Sequence, residues 1–440
     1  MNIIVIGGGA AGMMAALSAA RQNPSASVLL LEKNDKLGKK IFITGKGRGN
    51  FTNACPMTDF PAHYLRNTRF LYPAFRAMSN TETIRILSEG GCRSVTERGG
   101  RVFPVSGHAY SITEALKRLL RRAGAEIRYR TEVLELLYRE SGGSRQVSGV
   151  RTKRGVLPAD AVIVATGGLS YPSTGSTGDG YRFAAAGGLR LTPCCPSLVW
   201  LAVEETDVRR LKGLTLRNIA VSVTDENGRR VYEDFGEMHF LEEGVDGPVI
   251  LSASAVLTGR LSPGKENGEA GQDGSSWRDR ILTLHIDLKP ALTEEMLRER
   301  LARDFSDPAV RKAALRDSRS GLLPAQLLPF CLRRLETEGV ESSVKCAELP
   351  RETRRSILRL LKDFRYTLRG TGGFSDAIVT QGGVDVSGIR PDTMEAKNVR
   401  GLYFAGEVLD VDGFTGGFNM QAAFSTGWLA GRSAAAGPDQ

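Results

Sequence analysis

The sequence predicts an α/β protein whose parallel-sheet domain is built from both ends of the chain, with a β-rich domain and a small helical domain inserted between them. Three observations predict it: a strand, glycine turn, helix and strand over residues 3–32, a buried strand running into glycines over 159–168, and a return of the same pattern over 401–431. Ile3-Ile4-Val5-Ile6 is a β-branched run suited to a strand covered on both faces. Gly7-Gly8-Gly9-Ala10-Ala11-Gly12 follows at once, with glycine at the three positions of G-x-G-x-x-G. Ala11 to Ala20 then reads as helix. Val28 to Leu31 reads as a second strand ending on Glu32, ~20 residues past the last glycine. Gly7 allows a tight turn, Gly9 lets a pyrophosphate approach the backbone, and Gly12 lets helix and sheet pack closely. The helix N-terminus offers free N–H groups to phosphate. Glu32 can accept hydrogen bonds from a ribose diol, which points to FAD or NAD rather than NADP in a Rossmann-like site.

Bulk properties narrow the class. With 440 residues, 41% hydrophobic and 25% charged, the chain is long enough for two or three globular domains. No apolar run approaches the ~20 residues that cross a bilayer. The first strand begins so early that a cleaved leader would remove part of the nucleotide unit, so cytoplasmic residence is expected. Six cysteines include no C-x-x-C, which argues against a dithiol reductase. Adjacent Cys194 and Cys195 read as packing residues. Four histidines without metal-ligand spacing argue against a metal site. The net charge of +10 is spread along the chain and comes with no nucleic-acid motif.

The remaining segments follow in order. Leu37 to Asn53 is rich in glycine and basic residues. There Lys39, Lys40, Lys46 and Arg48 suit a pyrophosphate, and Asn50, Thr52 and Asn53 offer amide and hydroxyl groups to a polar ring system. Thr81 to Glu89 and Ile112 to Ala123 read as amphipathic helices. Strands are expected at Ala125 to Tyr129, Glu132 to Tyr138, Val147 to Thr152 and Val156 to Leu157, with a turn at Ser141-Gly142-Gly143. Period-two strands are expected at Val199 to Val203, Ile219 to Val223, Arg230 to Phe235, Val249 to Ala253 and Ile281 to Ile286. Ser262 to Ser276 reads as a disordered hairpin tip. Helices are expected at Glu294 to Phe305, Ala309 to Arg316 and Glu352 to Lys362. Gly401 to Glu407 is again a strand entering a Gly–acid pair, followed by a Gly-rich loop and an Ala-rich helix from Met420 to Gly431. The domain boundaries expected are 1–194 and 366–440 for the nucleotide domain, 195–290 with 351–365 for the β-rich substrate domain, and 291–350 for the helical one.

At these segments the chain resembles the FAD flavoproteins with two dinucleotide-binding domains, and within them the three-domain bacterial BaiN/aminoacetone-oxidase family. The residues that carry the resemblance are GGGAAG at Gly7 to Gly12, KLGKKIFITGKGRGNFTN at Lys36 to Asn53 and SYPSTGSTGDGY at Ser170 to Tyr181. TQGGVDVSGIRPDTME at Thr380 to Glu395 and GLYFAGEVLDVDGFTGGFNMQAA at Gly401 to Ala423 complete them. The resemblance implies bound FAD, with Gly7, Gly9, Ala10, Ala11 and Gly12 at the pyrophosphate, Glu32 on the adenosine ribose and Val133 at the adenine. It places Lys33, Lys40, Arg48, Gly49, Asn50 and Thr52 along the diphosphate and flavin. Thr166 and Gly167 would back the cofactor, Gly406 and Glu407 would meet the ribityl chain, and Gly417, Phe418, Asn419 and Met420 the pyrimidine end. Two departures stand out. Gly49 replaces a cysteine common in the family, and Glu242 to Pro248 lacks the family's His and Ser, leaving His239 out of register.

Flavin would carry the redox step. Acid–base candidates are Tyr171 and His239, with Tyr366, as residues expected near the domain cleft. Their plainer readings are a wall of the flavin site, a strand histidine with its ring satisfied, and a packed ring. Three functions stay open: reduction of a small or steroid-like substrate with NAD(P)H as transient donor, oxidation of an amine by oxygen, and partnership in RNA modification. The oligomeric state is left open.

Overall fold

A computed structural model describes residues 1–141, 143–261, 281–318 and 322–437. The described residues fall into two compact units, Met1–Leu198 with the segment from Gly373 onward, and Val199–Gly372. In the first, five parallel strands run in the order Leu402–Phe404, Ala161–Val164, Asn2–Ile6, Ser27–Leu31, Glu126–Arg128. Ile3 to Ile6, Val28 to Leu31 and Ala161 to Val164 are all buried, as β-branched and leucine runs covered on both faces should be. Because the strands are parallel, their carboxyl ends share one edge. The chain moves from the first strand to one side and later returns on the other, so the edge beside Ile6 is a topological switch point.

Helix Ala10–Gln22 covers this edge and packs on helix Phe418–Ala436. Their approach is close. A Cβ on Gly427 would stand 2.3 Å from the Ala11 carbonyl oxygen, and one on Gly431 2.1 Å from that of Ala15. Smaller sheets flank the core: Thr52–Asn53 with Arg101–Pro104 and Ser94–Thr96, a meander of Val133–Ser141, Ser144–Thr152 and Gly155–Pro158, and Leu191–Ser197 with Val379–Val384.

The second unit is a closed barrel of Leu201–Val203, Gly244–Asp246, Arg230–Phe240, Thr215–Thr224, Leu282–Asp287 and Phe364–Thr371. Helices Glu294–Ser306, Leu328–Thr337 and Arg351–Lys362 share its core through Leu297, Leu301, Phe330, Leu335 and Leu361. Four expectations need correction. Val249 to Ala253 is helical, within Pro248–Leu261, because Gly247-Pro248 starts a helix whose exposed positions, such as Val256, are themselves apolar and so hide its period. Ala309 to Arg316 forms turns rather than a helix. The units part at 198/199 and 372/373, so the expected boundary at 365/366 falls inside a barrel strand. The helical module expected at 291–350 is incomplete without Arg351–Lys362, against which the other two helices pack and which itself meets barrel strands Leu282–Asp287 and Phe364–Thr371. The hairpin tip expected at 262–276 and Gly142 of the expected turn lie outside the described residues. No helix among the described residues is long and apolar enough to cross a membrane.

Candidate cofactor site

The glycine turn is built as its spacing predicts. Gly7 has φ +104, its N–H donates to the Leu31 carbonyl at 2.8 Å, and a Cβ there would stand 2.5 Å from the Ala165 oxygen. At Gly12 a Cβ would stand 1.8 Å from the Gly7 oxygen, so this glycine is required by packing. Gly9 is different. Its φ of −81 suits any residue, and a Cβ there would meet no protein atom within 4 Å. Nothing in the protein requires glycine at position 9; the open approach to its backbone suits a pyrophosphate. Helix Ala10–Gln22 starts here without a side-chain cap or an acidic residue in its first turn, leaving the N–H groups of Ala10, Ala11 and Gly12 available.

Glu32 is 7% exposed. Its Oε1 accepts from the backbone and side-chain N–H groups of Asn34 at 2.7 and 2.8 Å, and Oε2 accepts from Gly8 N at 2.8 Å. Oε2 therefore retains a lone pair for a ribose hydroxyl. Thr131 N–H donates to the Glu32 carbonyl, which brings Val133, first residue of its strand and buried, next to this end of the site. These features fit the adenosine, ribose and pyrophosphate of FAD.

Lys33, Lys40 and Arg48, expected along the diphosphate, are paired within the protein. Lys33 reaches Asp179 and Thr177, both at 2.6 Å. Arg48 pairs with Glu97 and lies over the Phe103 ring at 4.3 Å. Lys40 contacts Glu407 Oε2 at 2.6 Å. The Glu407 carboxylate also accepts from Ser170 Oγ at 2.6 Å and Thr380 N at 2.8 Å, and Thr380 Oγ1 accepts from the N–H groups of Leu169 and Ser170. This cluster holds Glu407 at the end of strand Leu402–Phe404, beside Gly406 (φ +79), whose Cβ would crowd that of Ala11.

Asn50, Thr52 and Asn53 make hydrogen bonds within the protein. Asn50 Nδ2 donates to the Thr52 and Val102 carbonyls, Thr52 Oγ1 donates to Gln421 Oε1 at 2.6 Å, and Asn53 Nδ2 donates to the carbonyls of Gly99 and Gly416. A buried strand uses its own polar groups to tie neighbouring loops. A Cβ on Gly417 would stand 2.4 Å from the Thr52 oxygen, so the segment lies directly against the start of the C-terminal helix. Gly49, with φ +77, would place a Cβ 2.7 Å from Ala109 Cα, and is required by that contact. Thr166 and Gly167 (φ +74) follow strand Ala161–Val164 at the same edge as Gly7.

At the C-terminal helix, Gly417 has φ +96 and supplies no side-chain cap. The Asn419 amide pins the preceding turn, accepting from Gly413 N at 2.8 Å and donating to its carbonyl at 2.7 Å. Phe418 is buried and Met420 half-buried. The sequence reading missed two neighbours. His63 stacks on Phe418 with centroids 3.9 Å apart and planes at 12°. Asp412, 1% exposed, accepts through Oδ2 from Gln381 Nε2 at 3.2 Å and Ser197 Oγ at 3.4 Å, while its Oδ1 has no partner. Burial pushes the Asp412 carboxyl up to about 6, against the nearby Arg66 guanidinium. No periodicity marks either residue, since both act through contacts between distant segments.

The acid–base candidates divide. Tyr171 is in the cofactor-bearing unit, in the left-handed region at φ +51, with its N–H donating to the Phe374 carbonyl at 2.9 Å. His239 belongs to the barrel, where its Nδ1 shares a 2.9 Å hydrogen bond with Thr215 Oγ1. Tyr366 is fully buried in the same barrel between Phe240 and Phe364, and burial raises its phenol well above the ordinary value. That environment makes it a packing residue.

Comparison with known proteins gives a consistent result. A family model described as HI0933-like protein Rossmann domain matches residues 1–433. A 3-dehydro-bile acid delta(4,6)-reductase of Clostridium scindens is 33% identical over 441 residues, covering 100% of both chains. A ribosomal RNA dihydrouridine synthase of Haemophilus influenzae is 31% identical, covering 98% of this chain and 97% of that protein. Among solved structures, the 3-ketosteroid delta1-dehydrogenase of Sterolibacterium denitrificans aligns over 99% of each chain with a TM-score of 0.52 at 14% identity, a likeness of fold.

Proposed function

The chain belongs to the HI0933-like Rossmann-domain family and is an FAD-dependent oxidoreductase, and we propose that it reduces a carbon–carbon double bond conjugated to a carbonyl. The observation that carries this reading is the unfilled approach to Gly9, which fits bound FAD, in a chain similar over its full length to a reductase of such bonds. The two relatives named above share one chemistry. The first saturates ring double bonds of a 3-oxo steroid, and the second saturates the uracil 5,6 bond, which is also conjugated to a carbonyl. A small or steroid-like enone is the substrate class we assign.

In this reading the N–H groups of Ala10, Ala11 and Gly12 hold the pyrophosphate, Glu32 the ribose and Val133 the adenine edge. Lys40, Ser170 and Thr380 orient Glu407 toward the ribityl chain. Lys33 and Arg48, already paired, act by fixing Asp179 and Glu97 rather than by neutralising phosphate. The N–H groups at Gly417 to Asn419 favour negative charge at the pyrimidine end. When bound, FAD supplies the hydride that adds to one carbon of the double bond. NAD(P)H is the donor we assign. With one G-x-G-x-x-G unit in the chain, it must bind transiently and leave before the substrate enters. Anaerobic mixing of the yellow protein with NADH or NADPH, followed by 4-androstene-3,17-dione, tests this. Bleaching of the flavin band and its recovery on adding the enone are expected; recovery with oxygen alone would contradict it.

A second reading is favoured by the net charge of +10 together with the ribosomal RNA relative. Here the enone is a uracil in RNA, held through phosphate contacts. Dihydrouridine in RNA after incubation with the reduced protein, falling steeply with added salt, would select it over the steroid-like substrate.

A further inference from the structure

We propose that His63 is the proton-exchanging side chain of the flavin site. The inference rests on the placement of the flavin's pyrimidine end at Gly417 to Met420 given above. Saturating the double bond adds one hydride, with its electron pair, at one carbon and one proton at the carbon next to the carbonyl. NAD(P)H supplies the hydride equivalent through the cofactor, and a proton donor is still required at the other carbon. Of the candidates named from the sequence, His239 has its ring Nδ1 engaged by Thr215 on the barrel, and Tyr171 sits in a left-handed turn whose N–H is held by the Phe374 carbonyl.

The four histidines are not alike. His285 is held by Thr224 and Asp363, again in the barrel, and His108 is exposed on the loop before helix Tyr110–Arg122. His63 is half-buried, and neither of its ring nitrogens has a hydrogen-bond partner among the described residues. Its ring is nevertheless fixed in place. It lies flat on Phe418 at 3.9 Å, the first residue of the helix whose N-terminus would face the flavin.

The segment around it is tied to the same loop and helix start by four hydrogen bonds, the two backbone ones forming the Tyr64–Gly413 bridge. Phe414 N donates to the His63 carbonyl at 2.9 Å, and Leu65 N donates to the Asp412 carbonyl at 3.1 Å. Asn67 Nδ2 donates to the Asp410 carbonyl at 2.6 Å, and Tyr64 OH to the Phe418 carbonyl at 2.7 Å. Gly413 is required by this contact, because a Cβ would stand 2.8 Å from the His63 oxygen. An imidazole with free nitrogens and a fixed ring is preorganised for proton transfer.

Its electrostatic surroundings are simple. Burial lowers its pKa, and the Asp59 carboxylate on its own segment opposes that. Phe418 and Phe414, which pack or bond against it, are uncharged, and the Asp412 carboxyl is turned to Gln381 and Ser197. In the reaction the imidazolium gives its proton to the substrate carbon and becomes neutral imidazole, and solvent at the exposed edge of the ring returns the proton.

The test uses FAD-loaded protein and reads the visible flavin spectrum from pH 5 to 8, for wild type, His63→Gln and His63→Asn. A one-proton step below pH 6.5 in the wild type, absent from both variants with FAD retained, is expected. Flavin reoxidation by 4-androstene-3,17-dione should also slow by roughly 10²-fold in both variants. The same step in the variants, or a flat wild-type titration, would overturn the assignment. So would loss of FAD from both variants while they stay folded, since the ring would then serve only to seat Phe418. A colourless wild-type protein would instead overturn the cofactor reading on which His63 depends.

Discussion

Gly9 and Gly12 separate a ligand's demands from the protein's own. Gly9→Val should fold normally and purify colourless, because its side chain enters space that only a bound group would use. Gly12→Val should lose stability instead, since its Cβ would stand 1.8 Å from the Gly7 oxygen. FAD stoichiometry after gel filtration and thermal unfolding read the two effects apart, and FAD retained by Gly9→Val would refute the site. Glu32→Ala should weaken FAD binding by roughly 1–3 kcal/mol, measured by titration calorimetry. Asp412 supplies a pH signature. Its folded pKa of about 6 lies above the 3.8 of an ordinary aspartate, so the folded state binds the proton more tightly than the unfolded one. Its contribution to stability is present at low pH and is lost as pH rises toward 6. Asp412→Asn should therefore gain about 1–3 kcal/mol relative to wild type at pH 8 and little at pH 4, by denaturant titration at both values. An equal difference at both would show that the buried carboxyl is not protonated. At this scale the glycines and Glu32 were legible because backbone chemistry restricts them. His63 and Asp412 were not, because their partners lie in segments far along the chain. The intraprotein bonds of Asn50, Thr52 and Asn53 were not legible, because a polar loop looks the same whether it faces a ligand or ties itself together.

Among the elements, the two helices that meet at the nucleotide edge are held together by absent side chains. Gly431→Leu would drive carbon into the Ala15 carbonyl, and a loss of about 1–3 kcal/mol is expected from overpacking. Melting of the FAD-loaded variant checks this, and an unchanged melting temperature would show that the contact is looser than described. Several elements with one polar face were placed from periodicity to within a few residues, among them helices Tyr110–Arg122 and Arg351–Lys362, whereas strand Phe364–Thr371 was not foreseen. Helix Pro248–Leu261 was mistaken for a strand because its Val249, Ile250, Ala253 and Leu257 are buried without a repeating polar partner. Ala309 to Arg316 has helix-forming residues but too few apolar ones to anchor a face, and it settles into turns closed by Ala314 and Lys345.

Across the whole molecule, both ends of the chain supply the parallel sheet, so the nucleotide unit and the Gly406–Glu407 turn come together from segments nearly 400 residues apart. That architecture was legible because the same strand-to-glycine pattern occurs at residues 3–12, 159–168 and 401–407. The barrel's closure was not, since strand periodicity carries no information about which edges pair. The choice between reductase and oxidase belongs to this scale too, because it concerns where electrons enter and leave. Anaerobic stopped-flow absorbance of the yellow protein, mixed in turn with NADH, NADPH and aminoacetone, decides it. A nicotinamide should bleach the flavin band, and 4-androstene-3,17-dione should then restore it without oxygen. Bleaching by aminoacetone alone, with recovery only on admitting oxygen, would contradict the reductase and make the protein an amine oxidase.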